Sequence, residues 1–381
     1  MMLDIRQFIF ILPLFISSAL TAQFSSAKHV IIVAIDGFRW QELFHGADSS
    51  VLFDHRQVKD TAMMKTLFWD EDHKERRKKL MPFVWNYWAS RGQLWGNQSL
   101  NSKVSVQNPY RLSYPGYHEM LNGFIDHRIK TNKPKKGKKN NILHYIASRD
   151  DFQGRVALFG SWERFKDMVD TGFVAVNAGY QIFEAKQPGP DLRSANEAIE
   201  FSAYKHLGTR PDMLTFSMAK DYMRATHPRL MFIGLGETDE FAHHRQYDLY
   251  LNQASLIDKM LCELWTLIQH DPYYKDQTLL IVTTDHGRGR AQNNWHRHGF
   301  MVPGSQETWI MMMGAGVEPL GEMENMPSVR LRQIPSLISS SLGLQYQPNH
   351  RVAASFIRLK PLPGKDQALL YGMNLHEPGK R

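Results

Sequence analysis

The sequence predicts an α/β fold: a three-layer sandwich in which helices cover both faces of a mixed, mostly parallel central sheet. Short apolar runs typical of buried strands occur along the chain together with amphipathic segments typical of helices. Several runs end abruptly in a polar residue or a glycine, and ligands bind at such strand ends in open α/β sheets. The predicted strands lie at 30–35, 155–162 (with its turn), 231–235, 278–284 and 309–313, and the clearest helix at 250–269.

The chain has 381 residues, 43% of them apolar, which suits one large domain or a domain with an insertion. The formal charge is +8, but five lysines fall in one run at 133–139, which we interpret as a solvated loop. No aromatic residue interrupts that run, so it offers no base-stacking platform and no nucleic-acid partner is expected. Contact of the run with a polyanion is the weaker alternative.

The amino terminus predicts export. An apolar stretch at 8–16 follows Arg6 and leads into small residues that end at Ala22. This stretch is too short to span a bilayer comfortably, so we interpret residues 1–22 as a secretory signal peptide, with an uncleaved anchor as the alternative. The mature protein would then be secreted or periplasmic, without a transmembrane segment. Cys262 is the only cysteine, which excludes an intrachain disulfide and a thiolate-rich metal site.

The strand at 30–35 ends in Asp36 and Gly37, and Asp36 taken alone is typical of a turn cap. Further along, Ser113 precedes Tyr114 and Pro115, and the Pro-Gly pair predicts a loop that feeds a short helix. Ser113 at such a helix entrance is either an N-cap or, if it faces metal ions, a nucleophile whose hydroxyl loses its proton near neutral pH.

Asp239 and His243 follow the strand at 231–235 and are four residues apart. On a helix that begins near Asp239 they share one face, where they form either a surface pair or half of a metal site. Asp285 and His286 come directly after the strand at 278–284. Their oxygen and nitrogen donors suit a metal such as zinc.

The last candidate ligand lies in the segment Trp295 to Gly299. His296 and His298 are two residues apart, so an extended segment would place both on one face, and the spacing does not decide between them. We choose His298 because Gly299 allows the backbone to approach closely.

Taken together, five motifs in this order resemble the alkaline phosphatase superfamily, especially its phosphodiesterase and nucleotide pyrophosphatase branch. The family order is a strand ending in Asp-Gly, a Ser-x-Pro or Thr-x-Pro nucleophile loop with a later glycine, Asp-x-x-x-His, Asp-His-Gly after a strand, and His-Gly. In this chain the matching residues are Asp36-Gly37, Ser113-Tyr114-Pro115 with Gly123, Asp239 to His243, Asp285-His286-Gly287 and His298-Gly299. The resemblance spans roughly residues 29 to 316.

The resemblance implies two divalent metal ions, with zinc preferred for these ligand types, although manganese and iron accept them too. The ligand sets it implies are Asp239, His243 and His298 for one ion, and Asp36, Asp285 and His286 for the other, with Ser113 close by. Ser113 would attack phosphorus and form a phosphoserine that water then hydrolyses. The family also holds a phosphate oxygen with an asparagine, and Asn132 is the match.

Two departures from the family patterns bear on the substrate. Tyr117 stands where sulfatases require arginine, which argues against that branch. Monoesterase relatives carry a Lys-x-Arg clamp, and the nearest counterpart here is Trp162-Glu163-Arg164. Because tryptophan replaces the lysine, only the arginine of the clamp is present. We therefore keep Arg164 as a candidate substrate-binding residue.

We therefore expect residues 23–381 to form an alkaline phosphatase-like catalytic domain with small cap insertions at about 42–95 and 124–141. The predicted function is hydrolysis of a small phosphorylated substrate, a phosphodiester or nucleotide in preference to a monoester. A phosphomonoesterase is the first alternative, and a catalytically inert metal- or polyanion-binding protein on the same scaffold is the second. The sequence does not indicate an oligomeric state.

Overall fold

The computed structural model describes residues 26–135, 140–183, 191–203, 205 and 208–346. The predicted signal peptide at 1–22 and residues 136–139 of the lysine run lie outside these ranges. Within them, no helix has the length and apolar character needed to cross a membrane.

The central sheet is mixed and mostly parallel, as predicted. The strands are β1 (His29–Ile35), β2 (Gly92–Trp95), β3 (Val104–Ser105), β4 (Val156–Gly160), β5 (Ala175–Ala178), β6 (Leu230–Leu235), β7 (Thr278–Thr283), β8 (Glu307–Thr308), β9 (Ile310–Gly314), β10 (Gly321–Glu322) and β11 (Val329–Arg330). Across the described ranges, eight of them pair in the order β10-β2-β9-β7-β1-β6-β4-β5, and β11-β3-β8 form a small second sheet. In the central sheet, β9 is antiparallel to both β7 and β2, and the other neighbours are parallel.

Helices cover both faces of this sheet. They are α1 (Trp40–His45), α2 (Ser49–Leu52), α3 (Thr61–Phe68), α4 (His73–Leu80), α5 (Pro82–Asn86), α6 (Ser113–Asn122), α7 (Ile142–Ala147), α8 (Arg193–Glu200), α9 (Asp212–Thr226), α10 (Glu237–His243), α11 (Tyr247–His270) and α12 (Ile334–Ser341). Alternate residues of β1 enter opposite cores because side chains alternate along a strand. Ile31 and Val33 pack with α1, α9 and α11, whereas Val30 and Ile32 pack with α6, α7 and α12. The predicted three-layer architecture is confirmed.

The interval 42–95, which we expected to form a cap, contributes to the body of the domain. Leu43, Phe44 and Trp88 are buried in the core beneath the sheet. The interval ends on β2, which pairs with β9, so its boundary at residue 95 runs through the central sheet.

The strand order places the candidate ligands at one edge. β1 lies between β6 and β7 and is parallel to both. The carboxyl ends of the three strands therefore meet, and they lead into Asp36, into α10 and into Asp285-His286 respectively.

Candidate metal centre and nucleophile

Four polar atoms converge at the carboxyl ends of β1 and β7, and we call this cluster the inner site. Its members are Asp36 Oδ1, Asp285 Oδ2, His286 Nε2 and Ser113 Oγ. His286 Nε2 lies 3.4 Å from each of the two carboxylate oxygens. Ser113 Oγ donates to Asp36 Oδ1 at 3.3 Å and lies 3.3 Å from His286 Nε2.

The four spacings measured from His286 Nε2 and Ser113 Oγ, 3.3–3.4 Å, are those between neighbouring ligands of one tetrahedral cation. A zinc ion with ligand bonds of about 2.0–2.1 Å separates its ligand atoms by roughly 3.3–3.4 Å. Within the described structure Asp285 Oδ2 is buried and has no hydrogen-bond partner, while Oδ1 of the same carboxylate accepts from the Gly37 amide at 3.1 Å. A buried carboxylate oxygen without a donor requires a proton or a cation, so the residues present fit a bound metal ion.

Asp239, His243 and His298 form a second, more open group, which we call the outer site. His243 Nε2 lies 3.0 Å from Asp239 Oδ2 and 3.1 Å from His298 Nε2. Asp239 and His243 occupy one face of α10, as their spacing predicts. Asp239 Oδ1 also lies 3.9 Å from His286 Nε2, so Asp239 stands between the two sites and shares a possible ligand group with Asp36 and His286.

The structure distinguishes the two candidate histidines after Trp295. His298 reaches the outer site, whereas the Nε2 atom of His296 accepts from Arg297 at 3.3 Å. Our reason for choosing His298 was wrong, because a Cβ on Gly299 would meet its nearest neighbours only at 4.0 Å. Glycine is required there by its φ of +122°, which L side chains rarely adopt.

Backbone carbonyls set the orientation of two imidazoles. His286 Nδ1 lies 3.1 Å from the Gly287 carbonyl, and His298 Nδ1 lies 2.9 Å from the Arg111 carbonyl. A carbonyl only accepts, so Nδ1 carries the proton in both rings and Nε2 presents its lone pair to the site. Burial also lowers the pKa of His286, and that of His298 well below its usual value, which keeps both rings neutral.

The two acidic side chains of the inner site are held in an unfavourable environment. Burial, reinforced by the neighbouring Asp285 carboxylate, raises the pKa of Asp36 to about 8. Burial likewise raises the pKa of Asp285 to about 7. A divalent cation would relieve both effects, because it compensates two negative charges at once.

Ser113 is the first residue of α6, whose N-cap is Leu112, and the cap makes no side-chain hydrogen bond. The predicted loop at Ser113-Tyr114-Pro115 is therefore wrong, as is the N-cap interpretation of the serine. Pro115 lies in the first helical turn, where its missing amide hydrogen leaves no helical bond unmade. The hydroxyl of Ser113 is thereby available to the inner site.

The sequence motifs did not reveal three further residues that contact the ligands. Tyr117 donates its hydroxyl to Asp36 Oδ2 at 3.2 Å, and Thr238 donates to the Asp36 carbonyl at 2.6 Å. Arg288 is fully buried and forms an ion pair with Asp239. Burial lowers the pKa of Arg288 only to about 9, so its guanidinium stays charged at neutral pH. Its one sequence signal is its place directly after Asp285-His286-Gly287.

The two candidate substrate-binding residues differ in position. Asn132 Oδ1 accepts from the backbone amide of Tyr114 at 3.0 Å, which places Asn132 beside Ser113. Arg164 lies in the 3₁₀ turn Glu163–Asp167, is about one-third exposed and forms ion pairs with the two ends of that turn, at 3.2 Å and 3.7 Å.

Comparison with known proteins shows what the fold is. No protein-family model and no curated protein matches the sequence. Among solved structures, the phosphonate monoester hydrolase of Agrobacterium radiobacter is 14% identical with a TM-score of 0.54, covering 86% of this chain and 76% of that one. A 2-O GAG sulfatase is 12% identical with a TM-score of 0.53, covering 85% and 72%. Murine ectonucleotide pyrophosphatase/phosphodiesterase 5, an inactive variant with AMP, is 12% identical with a TM-score of 0.50, covering 86% and 97%.

These similarities establish the class of fold. The chain shares its fold with these three proteins, and the predicted alkaline phosphatase-like fold class is confirmed. At such low identity the comparison concerns the fold alone, so the activity of this chain is argued from the inner and outer sites.

Proposed function

We propose that the chain is a metal-dependent hydrolase of phosphoric esters that uses Ser113 as its nucleophile. The observation that carries the proposal is the position of Ser113 Oγ, 3.3 Å from both Asp36 Oδ1 and His286 Nε2, a spacing that neighbouring ligands of one zinc ion would have. The similar structures named as a phosphonate monoester hydrolase and a nucleotide pyrophosphatase/phosphodiesterase support this class of reaction.

The ligand sets implied by the family resemblance are the ones proposed here, and the compact donor groups that support them are Asp239-His243-His298 and Asp36-Asp239-His286. Asp36 and His286 would hold one divalent ion, preferably zinc, together with Asp285, whose Oδ2 lies 3.4 Å from His286 Nε2. Asp239, His243 and His298 would hold the other. Bound ions of this kind lower the pKa of a neighbouring hydroxyl and stabilise charge on the attacking and departing oxygens.

The chain itself supplies the nucleophile. Ser113 Oγ bonds to phosphorus while the bond from phosphorus to the leaving oxygen breaks, and the proton of the Ser113 hydroxyl ends on that leaving oxygen. Water then attacks the phosphoserine: its oxygen bonds to phosphorus as the bond from phosphorus to Ser113 Oγ breaks, and one proton of the water passes to Oγ. Asp36, the hydrogen-bond acceptor of the Ser113 hydroxyl, orients that hydroxyl before attack.

The surroundings of Ser113 favour an anionic group. Ser113 begins α6, and the amino end of a helix carries partial positive charge and unpaired amides. Asn132 engages its amide oxygen with the Tyr114 amide, so the group it can offer a substrate is its NH₂ donor, as a phosphate oxygen requires.

Side chains near the nucleophile favour a diester or nucleotide over the alternatives. A monoester dianion needs a strong cationic clamp, but Arg164 is engaged in two ion pairs and Trp162 replaces the expected lysine. Sulfatases require arginine four positions after the nucleophile, where this chain has Tyr117, bound to Asp36. Phosphomonoester hydrolysis therefore remains the second candidate, and sulfate ester hydrolysis is not proposed.

Export is part of the proposal. The segment 1–22 has the charge, apolar core and small residues of a signal peptide, and cleavage after Ala22 would release the protein to the periplasm or the medium. Amino-terminal sequencing of the protein isolated from those compartments should begin at Gln23.

The decisive experiment combines metal analysis with substrate comparison. Purified protein should contain divalent metal and should turn over an aryl phosphodiester faster than the matching aryl phosphate, phosphonate or sulfate. Ser113→Ala should lower turnover by on the order of 10³-fold or more while leaving the metal content largely unchanged, because its other ligands remain. Ser113→Thr, which keeps a hydroxyl, is the matched control.

The alternative of an inert scaffold gives a different result. Unchanged turnover of the diester by Ser113→Ala would remove the serine from the reaction. Absence of metal together with absence of turnover on all four substrates would favour the inert binding protein.

A further inference from the structure

Arg288 is fully buried beside the proposed metal ligands. Its guanidinium donates to the carbonyls of Gly37 at 2.9 Å and His296 at 2.6 Å, and it forms an ion pair with the Asp239 carboxylate. These partners belong to three segments: the turn after β1, helix α10, and the segment that carries His298. One side chain therefore ties together three segments that supply ligands.

Gly37 packs directly against the Arg288 guanidinium and the Asp239 carboxylate. A Cβ on Gly37 would lie 2.8 Å from Arg288 Nε, from Arg288 Nη2 and from Asp239 Oδ1. Gly37 also has a φ of +57°, so both its conformation and its lack of a side chain allow the guanidinium to approach. The arrangement leaves the guanidinium plane little room to rotate.

We propose that Arg288 is a positioning residue for the outer site, where it fixes Asp239 and the His298 segment and thereby sets the affinity for the outer metal ion. The ion pair engages Asp239 Oδ1, whereas Oδ2 faces His243 at 3.0 Å. Arg288 thus leaves Oδ2 of Asp239 directed toward His243, while Oδ1, which it engages, lies 3.8 Å from His298 Nε2. The inference rests on the proposed function only for the presence of bound metal, because it concerns binding and not turnover.

Lysine cannot replace this contact. A guanidinium is a planar fork with five donors, whereas an ammonium is a point charge on a flexible stem. Arg288→Lys keeps the positive charge, so it tests the geometry of the contact without changing the net charge of the site.

The chain offers a matched control in Arg39, which is also fully buried. Its guanidinium bonds to Glu42, to Asp48 at 3.2 Å and to the Gly289 carbonyl at 3.0 Å, none of which is a proposed ligand. Arg39→Lys therefore removes a comparable buried guanidinium without changing any contact of Asp239. A purely structural role for Arg288 predicts that the two lysine variants behave alike.

The experiment measures both zinc dissociation constants by competition with a chromophoric chelator, with thermal unfolding in parallel. His243→Ala identifies which constant belongs to the outer site. Arg288→Lys should weaken the outer site by about 10- to 100-fold, the usual effect of losing a partner of a metal ligand, and weaken the inner site clearly less, because only the Gly37 carbonyl links Arg288 to the turn that carries Asp36. Arg39→Lys should lower the unfolding temperature and leave both constants unchanged.

Other outcomes overturn the inference. Wild-type affinity at both sites in Arg288→Lys, or equal weakening at both, would show that Arg288 does not act on the outer site in particular. Failure of both Arg288→Lys and the uncharged Arg288→Gln to fold, while Arg39→Lys folds, would make the role structural. Wild-type protein that binds no zinc would overturn the proposed function as well, which separates the two failures.

Discussion

The hydroxyl of Tyr117 donates to Oδ2 of Asp36 at 3.2 Å, while Oδ1 of the same carboxylate accepts from Ser113 at 3.3 Å. Tyr117 and Ser113 lie one turn apart on α6, so a single helix both presents the proposed nucleophile and orients a proposed metal ligand. Burial raises the pKa of Tyr117 well above its usual range, which keeps the hydroxyl protonated as a donor.

We predict that Tyr117→Phe weakens metal binding at the inner site by about tenfold, because Asp36 loses the donor that fixes its rotation. Competition with a chelator measures the change. The matched control is Tyr114→Phe, since the Tyr114 hydroxyl bonds to the Asp167 carbonyl at 3.4 Å, away from both sites. Equal affinities for Tyr117→Phe and wild type would show that Asp36 is oriented by other contacts.

Gly116 allows α6 to pack against the residue that follows β7. A Cβ on Gly116 would lie 2.6 Å from the backbone carbonyl oxygen of Asp285, which cannot move aside as a side chain could. Gly116→Ala should therefore displace α6, lower the free energy of unfolding by about 1–3 kcal/mol and reduce turnover through Ser113. Equilibrium unfolding in urea and diester hydrolysis measure the two effects.

Gly172→Ala serves as the control for that substitution, because its nearest neighbour is the end of the Asp170 side chain at 3.2 Å. If Gly116→Ala were as stable and active as Gly172→Ala, the close approach of α6 would not position the serine.

Asp212 caps α10, the helix that carries Asp239 and His243, from a distant part of the chain. Its carboxylate accepts from the Gly236 amide at 2.7 Å and the Glu237 amide at 3.1 Å, and from Gln253 at 2.8 Å. Asp212→Ala leaves these buried donors unpaired and should destabilise the protein by about 3 kcal/mol, with weaker metal binding at the outer site. Destabilisation without any change in outer-site affinity would limit Asp212 to a structural role.

The sequence was sufficient to predict the strand ends and the polar side chains that gather beyond them. Apolar runs that stop at Asp36 and Asp285 are local patterns, and parallel strands bring such ends to one edge of a sheet. The resemblance to a superfamily then selected Ser113 and His298, which the structure places at the inner and outer sites.

Contacts between segments that lie far apart in the sequence could not be predicted from a local sequence pattern. Tyr117 and Asp36 are 81 residues apart, and Arg288 and Gly37 are 251 apart, so neither hydrogen bond leaves a periodicity or a spacing to find. The start of α6 was misread for a different reason. Pro115 favours turns in general, but the first helical turn accepts proline equally well, and packing against the sheet selected the helix.

His29 should make stability depend on pH. It is buried at the start of β1, packed against Tyr273 with ring centroids 4.3 Å apart, and burial, with Arg229 adding to it, lowers its pKa to about 4. The unfolded chain binds a proton near its usual pKa of about 6.5, so between these values the unfolded state holds more protons. Stability is then lost as pH falls from about 6.5 toward about 4, by up to about 3 kcal/mol from this group.

His29→Phe keeps an aromatic ring at this position and removes the group that binds the proton. The variant should therefore lose less stability on acidification than the wild type. Urea unfolding at a series of pH values gives the comparison, and above pH 7 the two curves should run parallel, since the histidine is then neutral in both states. Parallel curves through the acidic range as well would mean that His29 titrates normally in the folded protein.

Removal of divalent metal should destabilise the protein. Asp36 and Asp285 are buried carboxylates of the inner site whose pKa values burial raises to about 8 and about 7, so without a cation they carry an uncompensated cost. Metal at 100 times its dissociation constant would stabilise the fold by about 2.7 kcal/mol, and a chelator should lower the unfolding temperature accordingly. Asp285→Asn removes one of these charges and a proposed ligand, so its unfolding temperature should respond less to the chelator. A wild-type transition that a chelator leaves unmoved would mean that the clustered carboxylates hold protons and not metal.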